Sequence, residues 1–387
     1  MTKKLLYLFF LGSIFLTSCE TEVDTIAEYK DITVVYGLLD SNETDHHIRI
    51  TKAFSGEGNA YDLASNANNF YYADGELNVT IDEYDASDVF KKSFSLTRVD
   101  VSSNIPPIPK DDGVFDNSVN ILYKFVEPNL KQDYTYKLKI VNHELDKEIT
   151  SATKIANNPS ITNFNQITKL KLVNTLGSYL NHDFNIKTGA NSGKVKVNLI
   201  FSYSNHFNDT TIQPEMKFVK ISLGEQKTTT TEGGEILIFT LNGADLFTAL
   251  NNNIPTTLPN LSSRRINNCV LEVISAGIDL ATYIAVNEPS TSITQNKPEF
   301  TNLTNALGVF SSRNTNQIYT ASSGFSLTNP TTENLNGFDN DGNVNYDDDT
   351  MKAFLRMGLS FCDARNITGI QPPRCTDVIS NWSTYNP

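Results

Sequence analysis

Residues 337–348 read Gly-Phe-Asp-Asn-Asp-Gly-Asn-Val-Asn-Tyr-Asp-Asp. Asp339, Asp341, Asn343, Asn345 and Asp348 set oxygen donors at nearly alternate positions about Gly342, which supplies a sharp turn, with Asn343 contributing its carbonyl. Ca²⁺ takes about six to eight hard oxygens, so such a turn can converge on one ion. The site would be structural rather than catalytic. In an acidic chain the same run also reads as solvated surface. Residues 350–361 can start the helix that such a loop needs.

The thiols come next. Cys362 and Cys375 flank a loop carrying Pro372 and Pro373. In an oxidising compartment they can close a disulfide contributing about 3 kcal/mol, or remain two thiols. Cys269 lies in an apolar run and reads as a small buried residue. His46 and His47 are adjacent on an alternating segment, so they project to opposite faces and cannot share a metal there. No nucleophile elbow, phosphate loop, dinucleotide fingerprint or zinc spacing occurs, and no positive case for an enzyme arises. Carboxylate pairs for glycoside hydrolysis depend on spatial rather than sequential nearness. Phe70, Tyr71 and Tyr72 lie in a long Asn-rich insertion. Rings on such a loop either stack on a sugar or anchor a protein partner, or they pack under their own loop.

The N-terminus reads as an address. Lys3 and Lys4 precede an apolar run over residues 5–16, broken only by Gly12 and Ser13. A spanning helix needs about 20 apolar residues, so this is a signal-peptide core. Leu16-Thr17-Ser18-Cys19 follows and resembles a bacterial lipobox. The resemblance implies that residues 1–18 are removed and that Cys19 is acylated, anchoring the chain without a transmembrane helix. Residues 19–31 lack periodicity and read as tether. Glu20, Glu22 and Asp24 resemble the export signal of Bacteroidota surface lipoproteins, or form an ordinary acidic linker. The expected location is the outer membrane, facing the cell exterior.

The elements that position these groups are strands. The 387 residues are 39% hydrophobic and 19% charged, too apolar for a disordered chain. A formal net charge of −13 with no long basic stretch argues against a nucleic-acid surface. The 44 asparagines favour turns and caps over long helices. Residues 32–39, 46–54, 76–84, 88–99, 120–126, 135–141 and 148–155 alternate or are β-branched. That count and spacing predict an immunoglobulin-like β-sandwich over residues 32–157, interrupted by insertions at 56–75 and 102–118. Asn157-Asn158-Pro159-Ser160 reads as a boundary. Residues 160–387 read as a second β-rich domain with strands at 194–203, 216–223, 235–241, 269–275, 308–312 and 317–321. Two short helices are expected there, 244–251 capped by Asn242 and 279–287 capped by Asp279. The fold class is therefore mainly β with a few short helices.

One passage carries a family resemblance. A short helix with Tyr283 leads through a Pro-containing loop to Asn296-Lys297-Pro298-Glu299-Phe300-Thr301-Asn302, then to Leu303-Thr304-Asn305-Ala306-Leu307-Gly308-Val309-Phe310. With Val35-Tyr36-Gly37-Leu38-Leu39, it resembles a Bacteroidota outer-membrane or surface lipoprotein family of unknown function with an immunoglobulin-like N-terminal half. Ala306 stands where that pattern has Gly. The resemblance implies architecture and location and supplies no catalytic residue. Without it, Gly308 reads as a turn residue and Val309 and Phe310 as core. The expected role is a non-enzymatic binding or accessory module that captures a ligand such as a glycan, or assists an outer-membrane transporter or another envelope protein. A structural part in adhesion or secretion and a calcium-supported hydrolase are the alternatives.

Overall fold

The computed structural model describes residues 32–53, 59–104, 108, 110, 113, 115–163, 172–174, 176–209, 211–288, 299–318 and 349–362. The first sandwich is built from β1 (Thr33–Asp40), β2 (Asp45–Lys52), β3 (Leu77–Tyr84), β4 (Phe90–Ser95), β5 (Thr97–Asp100), β6 (Ile121–Val126), β7 (Thr135–Asn142) and β8 (Lys147–Lys154). Helix α1 (Ala60–Ala64) and a 3₁₀ turn (Ala67–Asn69) sit in the first insertion. The rest comprises β9 (Ser160–Ile161), β10 (Asn181–Lys187), β11 (Ser192–Phe207), β12 (Glu215–Lys227), β13 (Ile236–Asn242), α2 (Gly243–Asn253), β14 (Leu261–Gly277), α3 (Ile278–Asn287), β15 (Ala306–Ile318) and α4 (Asp349–Arg356). The protein is mainly β.

Alternation explains the first sandwich. Val79 and Ile81 of β3, Ile48 and Ile50 of β2 and Leu138 and Ile140 of β7 all bury on one face, as a period of two requires. The sheet β4-β3-β7-β8 faces the strands β15-β1-β2-β6-β5, which form one side of an eight-stranded sheet. Tyr136, at the start of β7, is fully buried. Its hydroxyl accepts from the Lys131 amide at 2.7 Å and donates to Glu83 Oε2 at 2.9 Å. The bond from a strand-start tyrosine back to the main chain five residues earlier is similar in geometry to a tyrosine corner.

Residues 88–99, expected as a single strand, are two. Leu96 donates its amide to the Val79 carbonyl and packs on the core. That inward step leaves β4 in one sheet and passes β5 to the other.

The second half of the chain stacks β13-β10-β9 and the helices α2 and α4 on β12-β11-β14, around Phe184, Leu199, Phe201, Phe239, Leu271 and Phe354. Asn242 caps α2 as expected, its side chain accepting from the Ala244 and Asp245 amides. The expected cap of α3 is corrected. Gly277 occupies that position without a side-chain bond, and Asp279 instead accepts from Asn302 Nδ2 at 3.1 Å.

Strand β15 joins the two halves. The two short strands expected at 308–312 and 317–321 are one, which runs parallel to β1 from Ala306 to Arg313 and antiparallel to β14 from Arg313 to Ile318. Leu303 and Phe310 thereby enter the core of the first sandwich. Gly308 lies in strand rather than turn, at φ +106°, and a Cβ there would fall 2.1 Å from the Val35 carbonyl oxygen. Asn302 closes the approach, accepting from the Phe310 amide at 3.0 Å and donating to the Phe310 carbonyl at 2.7 Å. Of the residues that carried the family resemblance, Val35–Leu39, Asn302 and Ala306–Phe310 meet at one seam, where Tyr283 also reaches Tyr36.

Candidate functional site

The expected calcium ligands Asp339, Asp341, Asn343, Asn345 and Asp348 lie outside the described residues, as do Cys19 and Cys375. Helix α4 begins at Asp349, directly after the loop. Among the described residues no group of three His, Cys, Asp or Glu side chains is placed to hold a metal, and no described helix is long and apolar enough to cross a membrane. Cys362 is buried and disulfide-bonded, with its partner outside the described residues. Cys269 is a buried free thiol whose pKa burial pushes up to about 12, an inert group at neutral pH.

Of the two arrangements open to the insertion aromatics, they take the packed one. Phe70, Tyr71 and Tyr72 are all buried, so they form no exposed stacking platform. The Phe70 and Tyr71 rings lie 4.5 Å apart at a tilt of 49° and pack on Ile121, while the Tyr72 hydroxyl pairs with Thr33 Oγ1 at 2.8 Å. An exposed loop cannot leave three large rings in water when a sheet edge lies within reach.

The concave surface lies instead on the outer face of the eight-stranded sheet. A groove of about 690 Å³ is floored by Tyr36 and Leu38 of β1, His47 and Arg49 of β2 and Leu122 of β6. Glu43 and Thr44 of the β1–β2 turn, Asp45 at the start of β2, Ile108 of the second insertion and Arg313 of β15 wall it. The same alternation that buries Ile48 and Ile50 turns His47 and Arg49 outward. His46 points the other way, buried, with Nε2 2.9 Å from the Glu127 carbonyl and its ring 4.8 Å from Phe125.

Among the described residues the groove's charges are arranged in pairs, with one exception. Arg313 donates to Glu43 at 2.7 Å and stands 3.5 Å from the fully buried Asp40. Burial raises the Asp40 pKa, partly offset by the Asn42 and Thr315 amides and by Arg313. Lys124 pairs with Asp45 at 2.6 Å and lowers that carboxyl's pKa. Burial, then the nearby Lys124 charge, lowers the His47 pKa, which keeps its imidazole neutral at pH 7. His47 Nε2 is buried and has no hydrogen-bond partner among the described residues. Arg49 is the exception, donating to Asn120 Oδ1 at 2.8 Å and to the Tyr71 hydroxyl at 3.4 Å. At the seam, the Tyr36 and Tyr283 hydroxyls lie 3.1 Å apart, and burial with that bond pushes the Tyr36 pKa up to about 12.

The outward phase of His47 and Arg49 was readable from the β2 pattern. Their neighbours Arg313, Leu122 and Ile108 come from three separate stretches of chain, and no local pattern links them. No protein-family model matches the chain, and no curated protein matches it.

Proposed function

We propose that the chain is a lipid-anchored cell-envelope binding module. In this reading Cys19 carries the acyl chains, residues 19–31 form the tether, and the sandwich presents its outer groove to a ligand or to an outer-membrane partner, facing the cell exterior. The observation that carries it is Leu16-Thr17-Ser18-Cys19 placed directly after a short apolar run with a lysine pair before it. Two or more acyl chains hold a protein to a bilayer stably, at about 0.8 kcal/mol per buried CH₂. The groove supports a binding rather than a chemical role. Its acids Glu43 and Asp45 are both in ion pairs, and its floor is a rigid sheet face, which suits holding a partner in register.

The test is Cys19→Ser in the native host, with globomycin, an inhibitor of lipoprotein signal-peptide cleavage, as a parallel arm. Both are expected to abolish the acylated mature mass, and the variant is expected to leave the membrane fraction. Unaltered mass and partitioning in the variant would remove the anchor and the location with it. Protease shaving of intact cells then separates exterior from periplasmic facing.

A further inference from the structure

We propose that the end of the first sandwich where the tether joins is a membrane-docking face, at which Ile32, Tyr36 and Leu307 rest on the lipid bilayer that holds the anchor. The inference rests on the acylation of Cys19 and adds how the folded body sits on that bilayer.

Alternation builds the face. Val35 of β1 and Ala306 and Phe310 of β15 pack on the sandwich core. Ile32, Val34 and Tyr36, and with them Leu307 and Val309, therefore point the other way. Parallel pairing sets Val34 against Leu307 and Tyr36 against Val309. The two strands thus present adjacent rows without a charged side chain, and β2 sets uncharged Thr51 beside Val34. Ile32 is 36% exposed and Tyr36 and Leu307 are each 42% exposed. Helix α3 adds Tyr283, whose ring meets that of Tyr36 edge-on at 6.0 Å between centres. A tyrosine joins an apolar ring to a polar tip, which suits the boundary between headgroups and acyl chains.

The place of these rows in the chain selects the partner. The Ile32 carbonyl accepts from the Ala53 amide at 2.8 Å, and the Thr33 hydroxyl pairs with that of Tyr72. The tether therefore ends at a fixed point on the face itself. Residues 20–31 span at most about 40 Å when extended and roughly 20 Å as a flexible coil. Strand β1 carries the chain roughly 25 Å further, to the turn that holds Glu43. The Ile32 end meets the bilayer first, and the acidic turn with its wall of the groove stays in solvent. The anchor makes this contact intramolecular, so a small apolar face is enough to hold it. A formal net charge of −13 gains nothing from an anionic surface, so the attraction is apolar and salt does not screen it.

The test uses the acylated mature protein on phosphatidylcholine vesicles with brominated acyl chains, which quench tryptophan at membrane depth. Reporters are Leu307→Trp and Val126→Trp, each with Trp382→Phe to remove the single native tryptophan. Val126 is 57% exposed and pairs with Asp45, at the opposite end of β2 from the residue that pairs with Thr33. Leu307→Trp is expected to be quenched at least about twofold, with no change in about 0.5 M salt, and Val126→Trp to be unquenched. Ile32→Trp supplies a second reporter should Leu307→Trp unsettle the strand pair. Adding Leu307→Asp to Ile32→Trp is expected to remove the quenching while flotation with the vesicles and the melting temperature stay unchanged. Equal quenching at 307 and 126, or none at 307 and 32 in protein that floats, overturns the docking face and leaves the anchor standing. Quenching at 32 that survives Leu307→Asp reports nearness to the anchor alone and also overturns the face. Protein that carries no acyl mass or does not float overturns the anchor, and the docking with it.

Discussion

Two arginines, one in each half of the molecule, put the same side chain to opposite uses. Arg264 of β14 is 0% exposed and meets no carboxylate among the described residues. Its Nε donates to Asn205 Oδ1 at 3.0 Å, and its terminal nitrogens donate to the carbonyls of Leu359 and Pro255. Its own main chain pairs with residues 360 and 362. The segment after α4 is thereby strapped to β14, and Leu359 and Phe361 enter the core. Burial lowers the Arg264 pKa, yet every nitrogen has an acceptor, so the cation is carried by carbonyl dipoles. Arg49 is half-buried, anchored by two neutral groups, and faces a groove. An arginine with every nitrogen engaged inside the protein is a clamp. One held at its tip by Asn120 and Tyr71 beside a groove is a positioned surface charge.

The contrast breaks most readily at Arg264. Arg264→Ala leaves Asn205 Oδ1 and two carbonyls unpaired in the interior and is expected to lower the unfolding free energy by about 3–5 kcal/mol in urea denaturation. A loss below about 1 kcal/mol would mean that the strap is held by other packing. If residues 337–348 bind Ca²⁺ and set the start of α4, chelation is next in size. Free Ca²⁺ at a hundredfold above Kd contributes about 2.7 kcal/mol, so EDTA is expected to lower Tm in the wild type and to leave Asp341→Ala unmoved. A Tm indifferent to both would remove the calcium loop. Arg49→Gln is expected to cost less than about 1 kcal/mol of stability, because its partners are uncharged and the groove is open. A larger loss would make Arg49 a second clamp.

The smallest effect is a pH slope at His47. Its folded pKa lies below the ordinary 6.5, so the unfolded chain takes up the proton first as pH falls. Stability from this group is fully present above pH 6.5 and is lost as pH falls through the lowered value. Lys124 opposes the charged ring, whereas Asp45 and Glu43 favour it. His47→Gln is expected to flatten the acid side of the stability curve, and an unchanged slope would place the sensitivity in other groups.

Local pattern carried much of the fold. The alternation of β2 and β3, the Asn242 cap and the adjacent, opposed pair His46 and His47 all follow from period and cap chemistry, which act over a few residues. The break at Leu96 was invisible because both of its flanks alternate. The burial of Tyr71 and Tyr72 was equally hidden, since their partners Arg49 and Thr33 stand 22 and 39 positions away. Arg49 was legible as an outward polar residue of a strand. That Asn120, 71 positions on, and Tyr71 from the first insertion hold it was not.

The amino-acid order by itself determined which segments extend and which face of each strand sheds water, because these depend on neighbours along the chain. Only the tertiary structure decided that β15 closes a sandwich begun nearly three hundred residues earlier, that Gly308 must lack a Cβ against Val35, and that Arg49 and Arg313 from distant strands border one groove. Those outcomes depend on sheet order and on the volume left between packed elements, and neither is encoded in the spacing of adjacent residues.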